Sequence, residues 1–164
     1  MVKHIILGLF VIGKLLTFGQ NAEENKKLLT TLFKNSLTAD SKAKGWISSE
    51  KDWMTCNKDS FYYKSDTVVI YNNSKYYNSE YKCYDLVCWS FYNQNSFRLS
   101  QYLGSRHPAP CIVALNNFHK IKLKVLDNSL FLKTYVDGKI VDNFKVVSVL
   151  SNGNSAKLTL VRIK

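Results

Sequence analysis

Hydrophobic and polar residues alternate with a period of two along the carboxy-terminal half of the chain. The clearest case is the segment 120–140, KIKLKVLDNSLFLKTYVDGKI, in which lysines and aliphatic residues take turns. A period of two places successive side chains on opposite faces of a β-strand, so each such strand has one apolar and one basic face. The separators Asp127-Asn128 and Asp137-Gly138 tolerate positive φ angles. They therefore predict antiparallel hairpins.

The same pattern predicts a series of strands from residue 67 onward. No helical pattern of ten residues intervenes to build a parallel crossover, which favours an antiparallel meander over a βαβ fold. A sheet of so many strands exposes its edges unless it closes, so we predict a mainly β fold: an antiparallel up-and-down β-barrel of about eight strands with an N-terminal α-helix. The predicted strands are 67–71, 76–84, 87–92, 96–103, 111–115, 118–126, 129–136, 139–150 and 156–163. The candidates for the barrel interior are Ile121, Leu123, Val125, Leu130, Leu132, Val136, Val146, Leu158 and Leu160.

Residues 22–43 have the spacing of an amphipathic helix. Their apolar positions include Leu28, Leu29, Leu32 and Phe33 among lysines, glutamates and threonines. Such a face could contact a membrane surface or a partner, but packing on the barrel is the favoured interpretation. The predicted domains are a signal peptide at 1–20, the amphipathic helix at 21–44 and the barrel domain at 45–164.

The amino terminus has the pattern of a secretory signal. Lys3 and His4 precede the apolar run 5–13, and residues 15–21 bring a small residue to a suitable cleavage position. The run is too short and too interrupted to form a permanent membrane span. Lys14 within it leaves a buried or interfacial helix as the alternative. We therefore predict a secreted or periplasmic protein with no transmembrane span after removal of the signal.

The chain is strongly basic, with a formal net charge of +11. Removing the predicted signal takes away Lys3 and Lys14, which lowers the charge to +9. Such a balance favours contact with anionic surfaces, so an acidic surface or a partner protein is a candidate partner. The lysines are spread along the chain, however, and this favours an ordinary solvated surface over a dedicated polyanion site. Nucleic acid is disfavoured as a partner.

Four cysteines, an even number, agree with export into an oxidising compartment. On one extended strand, Cys83 and Cys88 would point to opposite faces and stand too far apart to pair. Bridges between different elements are therefore favoured, for example Cys56 or Cys111 with one of these two. Three connectivities stay open. A zinc site is disfavoured because two short cysteine pairs are missing and the histidines are scattered.

Catalytic constellations are missing from the sequence. His107 lies in a proline-containing loop and His119 lies beside a turn, without a nucleophile elbow. Asp127, Asp137 and Asp142 lie at or near turns, where turn formation explains them. Phosphate-binding loops and dinucleotide fingerprints are absent as well. We predict no catalytic residue, no cofactor and no metal, and hence a protein that is not an enzyme.

Aromatic residues make up 13% of the chain and concentrate between residues 46 and 102. They could line a cavity, with tyrosine hydroxyls orienting a ligand, or form a surface for a glycan or a single-stranded nucleic acid. Strand propensity alone also explains them, because tyrosine and phenylalanine favour strands. The candidates for a ligand cavity are Trp46, Tyr63, Tyr71, Tyr84, Trp89, Phe91, Tyr102, Leu123 and Leu132.

Three segments together resemble the lipocalin-like proteins of the calycin group, particularly the short exported bacterial ones. They are Gly45-Trp46-Ile47, the strand-borne Cys-Trp segment 86–99, and the terminal strand 157–163 with its basic residue. The family has Gly-x-Trp on its first strand, whereas the two residues are adjacent here. The resemblance implies an eight-stranded up-and-down barrel with an apolar cargo. It also implies that Arg162 stacks over Trp46 to close the barrel floor.

The leading functional hypothesis is an exported, non-enzymatic, lipocalin-like protein that binds a small apolar or amphipathic ligand inside the barrel. The alternative is an interaction protein. Its basic, aromatic outer surface would bind an envelope component, an acidic glycan or a partner protein.

Overall fold

The computed structural model describes residues 21–37, 51–72, 83–103, 111–112, 117–152 and 155–164. The predicted signal peptide lies outside these ranges. The elements are α1 (Ala22–Asn35), β1 (Trp53–Cys56), a 3-10 turn (Lys58–Ser60), α2 (Phe61–Lys64), β2 (Thr67–Tyr71), β3 (Asp85–Asn93), β4 (Ser96–Leu103), β5 (Cys111–Ile112), β6 (Phe118–Leu126), β7 (Ser129–Val136), β8 (Lys139–Asn152) and β9 (Ser155–Arg162).

Eight of these strands form a closed antiparallel barrel. Their order around the barrel is β1, β2, β9, β8, β7, β6, β4 and β3, and β3 pairs again with β1. The short β5 adds to the sheet through β4. The predicted fold class, a mainly β barrel of about eight antiparallel strands with one N-terminal helix, is confirmed.

The barrel order follows the chain order except at its beginning. β1 lies between β2 and β3, and it is antiparallel to both. β2 and β3 therefore run in the same direction, and the barrel closes by pairing β2 with β9. A disulfide between Cys56 and Cys83, whose Cα atoms are 5.7 Å apart, joins the end of β1 to the residues just before β3. Cys56 with Cys83 is one of the pairings that the sequence left open.

The predicted strand bounds agree closely with the structure wherever the hairpins are tight. The bounds of β2, β4, β6 and β7 are those predicted, and those of β3, β8 and β9 differ by one or two residues. In the two turns 127–128 and 137–138 all four residues have positive φ, between 48° and 79°. Most of the predicted strands 76–84 and 111–115 lies outside the described residues. β1 was not predicted, because its sequence WMTC has no alternation of apolar and charged residues.

Helix α1 begins at a side-chain cap and ends where its chain is held by the barrel. The side chain of Asn21 accepts a hydrogen bond from the N–H of Glu23 at 3.1 Å, and acidic residues fill the first turn. The N–H of Ser36 donates to the carbonyl of Leu32 at 3.0 Å. The Ser36 hydroxyl accepts a hydrogen bond from the indole N–H of Trp53 at 2.9 Å. The helix therefore stops at Asn35, short of the predicted boundary at residue 44.

The main core lies inside the barrel and includes the buried face of α1. Leu29 and Phe33 of the helix are completely buried against the strands. Six of the predicted interior residues are buried in this core: Ile121, Leu130, Leu132, Val146, Leu158 and Leu160. Leu123 and Val125 pack against it, and Val136 is half-buried. A second, smaller cluster of Met54, Tyr71 and Cys88 is separate from this core.

Neither of the two described α-helices has the length and the apolar character that a membrane crossing requires.

Candidate functional site

The residues predicted to line a ligand cavity lie in several different places. Trp89, Phe91 and Leu132 are completely buried in the core, and Leu123 is partly buried against it. Tyr71 is buried in the smaller cluster. The exposed members are Tyr63 at 50%, Tyr84 at 68% and Tyr102 at 41%. Trp46 lies outside the described residues. The structure therefore brings only part of this set together.

Aromatic rings occupy the described part of the barrel interior. Phe33 stacks on Phe91 with ring centroids 4.4 Å apart, and Trp89 stacks on Phe97 at the same distance. Phe91 and Phe97 are 5.6 Å apart, and Phe33 meets Trp53 edge to face at 5.4 Å. All five rings are at most 1% exposed. Barrels of eight strands are just wide enough to be filled by their own side chains, and these five rings pack against one another in the described part of the interior.

Helix α2 packs against one end of the barrel through the buried side chain of Tyr62. The indole N–H of Trp89 donates a hydrogen bond to the Tyr62 hydroxyl at 3.3 Å. Burial, together with the charge of Asp142, raises the pKa of the Tyr62 phenol far above its ordinary value. The phenol therefore stays neutral and serves as a structural hydrogen-bond partner.

A buried charge pair supports the same end. Arg162 forms an ion pair with Asp142, and both side chains are less than one-fifth exposed. The guanidinium also donates to the carbonyl of Tyr62 at 2.9 Å and lies 4.7 Å from the ring centroid of Phe144. Its predicted partner Trp46 falls outside the described residues.

The described histidine packs on an aromatic ring. His119 stacks on Phe97 with centroids 5.0 Å apart, and burial lowers the pKa of its imidazole, an effect that the charge of Asp142 opposes. His107 lies outside the described residues. No group of three histidine, cysteine or acidic side chains suited to a metal ion occurs in the part of the chain that the structure describes.

Three of the cysteines lie where β1 packs beside β3. Cys56 and Cys83 form the disulfide, and Cys88 is buried in the smaller cluster with Met54 and Tyr71. Cys111 begins β5.

Two adjoining grooves lie where α1 meets β6; the first is also lined by the β3–β4 turn and the second by β7. Their volumes are about 710 and 580 Å³, and they share Asn95, Ile121 and Lys122. We call them together the lysine groove. Six lysines line it: Lys26, Lys34, Lys120, Lys122, Lys124 and Lys133. No carboxylate side chain is among the described residues that line it.

The strand register concentrates positive charge in the lysine groove. Lys122 of β6 lies directly opposite Lys133 of β7, and like charges in this position destabilise a sheet. The ammonium group of Lys122 is 5.1 Å from the ring centroid of Tyr135. Lys26 pairs with Glu23 at 3.7 Å, and the other five groove lysines form no ion pair within the described ranges. The described lining of the groove therefore carries a concentrated positive charge.

Only the β6 wall of this groove is visible in the sequence. The alternation of residues 118–126 identified the β6 lysines as a solvent-facing row, which was interpreted as an ordinary surface. Lys26 and Lys34 join that row because α1 packs across β6 and β7. A helix position relative to a sheet leaves no periodic signal in the sequence, so only the tertiary structure shows the second wall.

Comparison with known proteins gives no relative for this chain: no family model, no curated protein and no solved structure matches it. The site is therefore interpreted from its own geometry.

Proposed function

We propose that the protein is an exported, non-enzymatic interaction protein of lipocalin-like architecture that binds an anionic partner through the lysine groove. The observation that carries the proposal is the set of six lysines, from α1, β6 and β7, with no carboxylate among the described lining residues. Export is supported by the Cys56–Cys83 disulfide, because such bridges persist in oxidising compartments.

The repulsion between lysines across the sheet also supports a binding role, because it lowers the stability of the folded protein. A surface selected only for stability or solubility intersperses charges of both signs. Here Lys122 and Lys133 are held directly opposite each other instead. An anion bound between them would remove this repulsion.

A carrier function inside the barrel receives less support. Carrier proteins enclose a cavity of several hundred Å³ for a ligand. The described interior instead holds stacked aromatic rings. The lipocalin-like interpretation is kept for the architecture, and the outer groove takes the place of the ligand cavity.

The test compares two variants with the same loss of charge. The groove variant carries Lys120→Gln, Lys122→Gln and Lys124→Gln. The control carries the same substitution at three lysines that are exposed and lie outside the groove, Lys58, Lys64 and Lys139. The probe is dextran sulfate, titrated by calorimetry in about 0.05 M salt, where screening is weak.

We expect the control to bind dextran sulfate like the wild type and the groove variant to bind about tenfold more weakly. Each lost charge pair contributes up to roughly 1 kcal/mol, and about 1.4 kcal/mol corresponds to tenfold in affinity. An equal loss in both variants would show that binding follows net charge, and it would contradict the groove as a site.

A further inference from the structure

The outer face of β6 carries an ordered row of one aromatic ring and three ammonium groups. Phe118, Lys120, Lys122 and Lys124 share this face, because side chains alternate along a strand. All four are exposed, Phe118 by 58%. Neighbours in such a row are about 6.6 Å apart, so the row extends over roughly 20 Å. This length suits an extended polymer with repeated negative charges.

Phe118 is held in place although it is exposed. The ring of Tyr92 meets it edge to face, with centroids 5.7 Å apart and planes at 79°. Such a contact fixes the orientation of an exposed ring. A fixed aromatic ring offers a flat apolar surface, which the C–H groups on one face of a sugar ring can cover.

The turn between β3 and β4 adds polar groups to the same groove. Asn93, Gln94 and Asn95 line it beside the lysines, and all three are exposed. Side-chain amides both donate and accept hydrogen bonds. This lining suits a partner that carries hydroxyl groups as well as negative charges.

From this combination we infer that the lysine groove binds a linear acidic polysaccharide, laid along β6 with a sugar ring on Phe118. The inference rests on the proposed anion-binding function. The carboxylate or sulfate groups of the chain would contact the lysines in sequence. The hydroxyl groups would meet the amides of the β3–β4 turn.

The groove suits single-stranded nucleic acid less well. Proteins that bind such strands stack successive bases on several aromatic side chains. The ring of Tyr135 in the groove is approached by the Lys122 ammonium at 5.1 Å, which leaves Phe118 as the exposed ring of the β6 row. A flat anionic bilayer also fits poorly, since the lysines of α1 and β6 stand on two walls of a groove.

The experiment measures binding of three probes by the intact mature chain: polygalacturonate, single-stranded DNA at the same charge concentration, and vesicles containing phosphatidylglycerol. The variant Phe118→Ala is compared with Phe61→Ala, a control at a phenylalanine of similar exposure on α2. The groove variant with three glutamines is included, and circular dichroism checks that each variant is folded. The salt concentration is about 0.15 M, which screens long-range attraction.

We expect polygalacturonate to bind at least about tenfold more tightly than DNA, because the β6 row offers the bases one exposed ring, Phe118, and not a succession of rings on which to stack. Phe118→Ala should weaken polygalacturonate binding about fivefold, as removal of one stacking ring does, whereas Phe61→Ala should leave it unchanged. Tighter binding of DNA or of vesicles, or equal behaviour of the two phenylalanine variants, would overturn the polysaccharide inference. Loss of binding in the groove variant would still support the anion site in that case. Equal binding by the groove variant and the wild type would overturn both.

Discussion

At each end of the barrel, a helix is held by a hydrogen bond from the indole N–H of a tryptophan. At one end the indole N–H of Trp53 donates to Ser36, at the end of α1. At the other end the indole N–H of Trp89 donates to the hydroxyl of Tyr62 in α2. The two tryptophans are direct neighbours on β1 and β3. The adjacent indoles of Trp53 and Trp89 therefore hold α1 and α2 on the barrel.

The two ends differ in whether their basic side chains have acidic partners within the protein. Beside α2, the charge of Arg162 is neutralised by Asp142 within the protein. Beside α1, five lysines of the groove have no acidic partner among the described residues. At the α2 end the opposite charges therefore pair with each other and stabilise the fold. At the α1 end the lysine charges can instead contact an anionic partner.

The largest effect on stability is expected from the core residue that α1 contributes, Phe33. Phe33→Ala should reduce the free energy of unfolding by about 4 kcal/mol, because it removes a completely buried ring that contacts Phe91 and Trp53. The control is Phe61→Ala, at a ring that is 51% exposed beside the other end. It should cost less than about 0.5 kcal/mol. Urea unfolding measures both, and similar losses would show that α1 does not hold the core together.

The ion pair at the α2 end should show the next largest effect. Arg162→Met should cost about 3 kcal/mol, because it leaves the carboxylate of Asp142 without its partner in a largely buried site. Lys164→Met breaks the exposed pair with Asp66 and should cost less than about 0.5 kcal/mol.

A double variant sharpens this second prediction. Adding Asp142→Asn to Arg162→Met should recover part of the lost stability, since no unpaired charge then stays buried. Urea unfolding at neutral pH gives the interaction energy. If the loss of stability in the double variant equals the sum of the losses in Arg162→Met and Asp142→Asn, the two residues do not act as a pair.

The smallest effect is expected in the lysine groove, and it has the opposite sign. Lys133→Gln should stabilise the protein by roughly 0.3 kcal/mol at low salt, because it removes the repulsion from Lys122 directly across the sheet. Lys139→Gln, at the exposed first residue of β8 and opposite the uncharged Val136, is the control and should leave stability unchanged. The gain should disappear at high salt, where the repulsion is screened. A loss of stability would contradict a strained cluster of like charges.

Much of the fold could be predicted because its signals are local. The hairpins around Asp127-Asn128 and Asp137-Gly138 have the positive φ angles that these residues tolerate, and the bounds of β6 and β7 follow from strict alternation. Strand β1 escaped prediction because it is four residues long and is apolar on both faces: Trp53 lies in the core and Met54 in the smaller cluster. A strand buried on both faces has no period of two to detect.

The candidate site was predicted only in part, for a similar reason. The exposed row of β6 lysines is visible in the sequence, whereas the partners that make it a groove come from α1 and from the β3–β4 turn. For the residues predicted to line a cavity, the sequence showed the residue type but not the burial. Trp89 and Tyr84 are both aromatic residues beside or within one strand, but the first is completely buried and the second is 68% exposed. Residue type alone does not distinguish them.

The sequence by itself determined the strands, their tight turns and the faces that would be apolar or basic, because alternation and turn chemistry act between close neighbours in the chain. The tertiary structure decided the rest. It placed β1 between β2 and β3, paired Cys56 with Cys83, filled the described interior with aromatic rings and laid α1 beside the β6 lysines. These outcomes depend on which distant surfaces fit together when the barrel closes, and that fit is a property of the whole packed core.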